Sequence, residues 1–127
     1  MTVPYLSYRD ANAAIGFLER AFGYEVTLRW DDSAGAVQHA EVRAGDGVVM
    51  LGTAEHPEPP LAGQSIGGGI YVVVDAVDEH FGRAEAAGAT VVYPPEDTEW
   101  GTRRYRVLDL EGYEWSFGSY RPGEGSG

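Results

Sequence analysis

Apolar positions along this chain follow two rhythms, and the order of the rhythms repeats. Residues 3–8 alternate weakly and predict a short strand. Across residues 11–22, Ala14, Ile15, Leu18 and Phe22 fall at helical spacing, with Asp10 placed to cap the start and Gly23 to stop the end. Residues 25–30, 37–43 and 48–51 then predict three strands, with turns at 31–35 and at Gly45-Asp46-Gly47. A stretch rich in proline and glycine follows and reads as a connection.

The same order starts again at residues 70–74, a strand, and continues through a helix at 77–87 stopped by Gly88 and a strand at 90–93. The last two strands, 103–108 and 113–117, form a hairpin around Asp109-Leu110-Glu111-Gly112. A type I turn followed by a left-handed Gly112 sets Leu108 opposite Glu114, Val107 opposite Trp115 and Arg106 opposite Ser116. One face of that hairpin carries Tyr105, Val107, Tyr113 and Trp115, and the other carries Arg104, Arg106, Leu108, Glu114 and Ser116. Positions 10 and 75, 23 and 88, 26 and 91, 42 and 107, and 47 and 112 match at a constant spacing of 65. The chain therefore reads as tandem βαβββ units aligned without a gap, about 1–54 and 68–121, in one domain spanning 1–121. Residues 55–67 are the expected linker, and 122–127 an expected mobile tail.

Composition narrows the class of partner. The chain has 127 residues, 43% of them hydrophobic, and a net charge of −11 from 20 acidic and 9 basic residues. Such a field repels phosphate backbones and anionic membranes, which argues against nucleic-acid and membrane partners. There is no cysteine, and hence no thiolate chemistry. No apolar run is long enough to span a bilayer and residues 1–10 lack signal-peptide character, so cytoplasmic residence is expected.

Three segments resemble the vicinal oxygen chelate superfamily: YLSYRDANAAIGFLERAFGYEV, YVVVDAVDEHFGRAEAAGATVV and DLEGYEWSF. The nearest resemblance is to its glyoxalase and bleomycin-resistance branch, especially PhnB-like members, through Glu99-Trp100-Gly101 and Arg104-Tyr105. The resemblance implies an α+β fold in which tandem βαβββ repeats form a curved, cleft-enclosing mixed sheet with helices outside. It also implies a homodimer with clefts at the shared interface. Metal enzymes of the superfamily take ligands from the first and fourth strands of each unit, positions that carry over to Val3, Leu51, Gly68 and Ser116. Those side chains are poor transition-metal donors, so neither metal nor cofactor is expected.

Strand parity places His39, Glu41, Val49 and Leu51 on the concave side of the first unit, and Arg104, Arg106, Leu108, Glu114 and Ser116 on that of the second. The charged members either hold a polar ligand or neutralise one another in a solvated groove. Trp30 and Trp100, at or beyond strand ends, either cap the core or sandwich a planar ring. His39 is the candidate general base, although a strand histidine is more often only a polar neighbour, and His56 and His80 read as surface residues. The expected ligand-binding set is Trp30, His39, Glu41, Trp100, Arg104, Arg106, Glu114 and Ser116, with no catalytic residue assigned. Two functions fit. One is a metal-free protein that binds and sequesters a planar neutral or cationic small molecule such as an antibiotic. The other is a lyase, isomerase or dioxygenase-like enzyme using metal or acid–base residues in the same cleft.

Overall fold

The computed structural model of the protein describes residues 1–54 and 69–124. Its first module runs β1 (Tyr5–Tyr8), α1 (Ala11–Phe22), β2 (Glu25–Asp31), β3 (Val37–Ala44) and β4 (Gly47–Thr53). Its second runs β5 (Gly69–Val73), α2 (Val77–Ala86), β6 (Thr90–Asp97), β7 (Arg103–Leu108) and β8 (Glu114–Gly118). The fold is α+β, with two four-stranded mixed sheets ordered β1-β4-β3-β2 and β5-β8-β7-β6. Each sheet has one parallel pair, and the sheets do not close into a barrel. The expected linker, His56, Gly68 and the last three residues of the expected tail lie outside the described residues.

Local chemistry explains the first helix. The Asp10 carboxylate accepts from the Ala13 amide at 3.0 Å, and Gly23 ends α1 at φ 76. Arg83 of α2 reaches across to the carbonyls of Arg20 and Glu19 in the last turn of α1, at 2.8 and 3.1 Å. The second helix departs from the repeat. It starts at Val77 after Ala76, which offers no side-chain cap, and Asp75 pairs with Arg121 at 3.5 Å instead.

The two modules do not align without a gap. Strands β2 and β3 match β6 and β7 at the spacing of 65, since Val26 opposes Val42 and Val91 opposes Val107. Strands β1 and β4 match β5 and β8 at 66, because Tyr5 pairs with Met50 where Tyr71 pairs with Ser116. The helix and the hairpin turns absorb the difference. The first hairpin closes tightly, with Ala44 opposite Gly47 and Gly45 at φ 62, whereas the second uses the longer turn ending at Gly112, φ 91. Leu108–Glu114, Val107–Trp115 and Arg106–Ser116 are paired as expected.

The inward faces of both sheets share one core with the helices. Phe22 of α1 sits at its centre, with ring centroids 4.8 Å from Phe117, 5.3 Å from Trp115 and 5.5 Å from Tyr24. The second hairpin also grips the first strand. Asp109, buried, accepts the Tyr8 hydroxyl at 2.6 Å and the Trp115 indole at 3.0 Å on one oxygen, and the amides of Glu111 and Tyr113 on the other. Burial pushes this carboxyl above its usual range, and the four hydrogen bonds oppose the rise. Tyr113 completes the grip, its hydroxyl donating to the Ser7 carbonyl at 2.8 Å and accepting from the Ser7 amide at 3.1 Å.

His80 is not the surface residue its sequence context implies. Its ring lies 4.4 Å from that of Phe117, stacks on Phe22, and its Nδ1 is 2.5 Å from the Tyr105 hydroxyl. A polar residue on a helix passes for exposed until aromatics from both modules, Phe22 from the first and Tyr105 and Phe117 from its own, pack against it. Burial first, and nearby Arg83 after it, lower its pKa, while the Phe22 carbonyl works the other way. A lowered histidine pKa means that the unfolded chain binds the proton better. The stability tied to neutral His80 is therefore complete above the unfolded value near 6.5 and is lost as pH falls through it. Thermal melts are expected to drop by a few degrees from pH 7.5 to pH 5.5, with a smaller drop in His80→Gln. An equal drop in both proteins would remove the histidine from the account.

Candidate functional site

With the inward faces committed to the core, the outward faces of the two sheets are the concave surfaces available to a ligand. On β3, Ala40 and Val42 are buried while His39 and Glu41 face out; on β7, Tyr105 and Val107 are buried while Arg104 and Arg106 face out. Two expected positions are reversed. Val49 and Leu51 are fully packed in the core, and Met50 lies on the concave side, because the shorter first turn shifts β4 by one residue relative to β8. Leu108, placed on the outer face of β7 by parity, is also buried.

The first concave face is organised around β2 and β3. A bulge between Val26 and Leu28 sets Leu28 beside Glu41 and Trp30 beside His39. The Trp30 and His39 rings are 5.6 Å apart, and His39 Nε2 is 2.9 Å from Glu41 Oε2. Tyr5 lies over Gly52, where a Cβ would come 3.2 Å from its hydroxyl.

The second face is richer in cations and aromatics. Tyr93 faces Arg106 after a matching bulge in β6, and both Arg104 and Arg106 hold their guanidinium carbons about 5.5 Å from its ring centroid. Arg104 pairs with Glu96 at 3.2 Å, and Arg106 donates from Nε to Ser116 Oγ at 2.8 Å. Tyr71 lies across β8 and donates to the Tyr120 carbonyl at 2.8 Å, made possible by Gly118, where a Cβ would come 2.7 Å from the Tyr71 oxygen. Beside these residues, Tyr71, Thr98, Trp100, Thr102, Arg104 and Tyr120 line an open cavity of about 600 Å³. Trp100 stands on the Thr98–Thr102 turn, which the two threonine hydroxyls close at 2.8 Å.

The structure thus divides the expected residues between two walls. It brings Trp30, His39 and Glu41 together on one, and Arg104, Arg106 and Ser116 on the other, with Trp100 in the adjoining cavity. Within the chain Glu41 is engaged by His39 and not by Arg106, and Glu114 has no ion-pair partner among the described residues. Both indoles are 61% exposed, so neither caps the core. Sequence reasoning missed Tyr5, Tyr71, Tyr93 and Tyr120. The available signal was Gly52 and Gly118, small residues on strands against which first-strand tyrosines lie.

The strand register shifts two of the metal-ligand positions carried over by resemblance. The positions that the resemblance implies for metal ligands become Val3, Met50, Gly69 and Ser116 in place of Val3, Leu51, Gly68 and Ser116, since Met50 opposes Glu41 and Tyr5 where Ser116 opposes Arg106 and Tyr71. A thioether, one hydroxyl and two side chains without donors do not fit a divalent transition metal. Among the described residues no group of three or more histidine, aspartate or glutamate side chains converges elsewhere.

A paired βαβββ fold with open concave sheets defines a class of small-molecule-handling proteins. The model of the Glyoxalase/Bleomycin resistance protein/Dioxygenase superfamily matches residues 3–117, and the chain belongs to that superfamily. It is similar to TioX from Micromonospora sp. ML1, at 37% identity over 98% of this chain and 99% of TioX, with a TM-score of 0.78. An uncharacterized protein of Mycobacterium bovis is 37% identical, over 91% of this chain and 80% of its own length. A mutant glyoxalase I from Zea mays shares the fold at 17% identity, TM-score 0.77, with this chain covering 44% of it. No helix among the described residues is long and apolar enough to cross a membrane.

Proposed function

We propose that this protein is a metal-free small-molecule-binding protein that sequesters a compound with a planar, neutral or cationic ring system, an antibiotic being the type of molecule such a site suits. The observation that carries this reading is the roughly 600 Å³ cavity bounded by exposed Trp100, Tyr71 and Tyr120. Aromatic side chains left to solvent around a concavity gain most when a flat ring displaces the water. Carboxylate and indole on the other wall, at Glu41 and Trp30, favour a neutral or positive ring there. In this reading the working form is a homodimer, in which a second copy sets its second sheet against this chain's first so that the two walls enclose the ligand, and it resides in the cytoplasm. The His39–Glu41 contact supports a second reading, acid–base catalysis, in which Glu41 orients the imidazole.

Tryptophan fluorescence titrated with planar aromatic cations and neutral arenes tests the proposal, alongside elemental analysis of the same dialysed sample. Quenching that saturates, a Kd weakened about tenfold by Trp100→Ala, and substoichiometric metal are expected, tenfold being about 1.4 kcal/mol. One transition metal per chain, or turnover lost in His39→Ala, would transfer the assignment to the enzyme.

A further inference from the structure

Arg106 stands apart from the other arginines of the second sheet. Five of the nine arginines are ion-paired: Arg29 with Asp31, Arg43 with Glu25, Arg103 with Asp78 and Asp97, Arg104 with Glu96, and Arg121 with Asp75. Arg83 is spent on the carbonyls that end α1, and Arg9 and Arg20 are exposed. Arg106 is half-buried on the concave face, and among the described residues no carboxylate lies within ion-pairing distance of it. In a chain with 20 acidic residues, a partly desolvated cation without a counterion is an unsatisfied position.

Its geometry is that of a receptor. Nε is fixed on Ser116 Oγ at 2.8 Å, and Ser116 is itself buried, which sets the plane of the guanidinium. The Tyr93 ring, 5.5 Å from the guanidinium carbon, holds it from the side. The outer edge, Nη1 and Nη2, makes no hydrogen bond to a described residue. Two parallel N–H groups on a fixed plane match the two oxygens of a carboxylate. Since Glu96 pairs with Arg104, Arg106 is, among the described residues, the one cation of this face without an ion-pair partner, and with the unpaired carboxylate of Glu114 on neighbouring β8 the site suits a monoanion better than a dianion.

We infer that Arg106 binds a carboxylate carried by the ligand, so that the compound is an aromatic acid whose ring occupies the Tyr71–Trp100–Tyr120 cavity and whose carboxylate reaches the Arg106 edge. This rests on the binding reading above and narrows it. The ring is neutral or cationic, and an acidic substituent is present beside it.

The test compares 2-naphthoate with 2-naphthamide, which share the ring and differ in charge, by calorimetry on the full chain at low salt. The naphthoate is expected to bind at least tenfold more tightly, with the preference lost in Arg106→Gln, reduced in Arg106→Lys, and kept in Arg43→Gln, whose guanidinium is paired elsewhere. Equal affinity for acid and amide in the wild-type protein overturns the inference and leaves the aromatic site standing. An acid preference that survives Arg106→Gln also overturns it. Binding of neither probe, together with no response to planar cations, sinks the binding reading itself. Because the acid-to-amide ratio is measured on the wild type, the inference does not depend on either variant folding.

Discussion

Replacing Asp109 with alanine is expected to lower the unfolding free energy by about 3–5 kcal/mol. The carboxylate is the acceptor for two buried donors, the Tyr8 hydroxyl and the Trp115 indole, and for two amides of the hairpin turn. Stranding a buried donor costs roughly 1–3 kcal/mol, and alanine strands two at once while also releasing the turn. Against a typical total of about 5–15 kcal/mol, that loss brings the folded state near its limit. Asp109→Asn should recover little, because an amide turns a donor toward donors. Urea denaturation of the two variants and the wild type is the measurement. A loss under about 1 kcal/mol for Asp109→Ala would mean that water takes over the carboxylate's partners at little cost.

Phe22→Ala is expected to cost a comparable ~3–5 kcal/mol, the range for removing a packed phenylalanine. Phe22 ends the first module's helix, yet its ring meets Phe117 and Trp115 of β8 and His80 of α2. The cavity therefore opens at the junction of the modules, where neither can close it alone. Combined with Asp109→Ala, the loss should fall short of the sum, since both substitutions loosen the same Trp115 side chain. Urea denaturation of both single variants and the double variant reads this directly. Full additivity would mean that the two contacts act on separate parts of the core.

The repeated βαβββ order, the cap at Asp10, the stop at Gly23 and the register of the last hairpin were legible because each depends on a few neighbouring residues. The concave placement of His39, Glu41, Arg104, Arg106, Glu114 and Ser116 followed from period-two parity once those strands were located. Parity failed at Val49 and Leu51 because a shift of one residue, hidden in a turn, exchanges the faces of a strand. His80 and the tyrosines of the cavity were hidden for another reason: what surrounds them comes from distant parts of the chain. The contact between His39 and Glu41, two residues apart on β3, was not legible because parity puts both on one face without saying that they touch. Strand pattern reports which face a side chain takes, and not what it meets there.

The grip of the second hairpin on the first strand also bears on how the chain is made. Tyr8 finds its acceptor 101 residues later, and the outer edge of β1 at Ser7 finds Tyr113 106 residues later. During synthesis the N-terminal module leaves the ribosome with the Tyr8 hydroxyl and the Ser7 backbone unanswered, and it stays so until Asp109 and Tyr113 have been translated. Contacts of such long sequence separation form late, because the loop they close must first lose its freedom. The first half is thus a waiting template rather than a finished unit, and translation that stops short of Asp109 leaves a strand edge open to pairing with other chains.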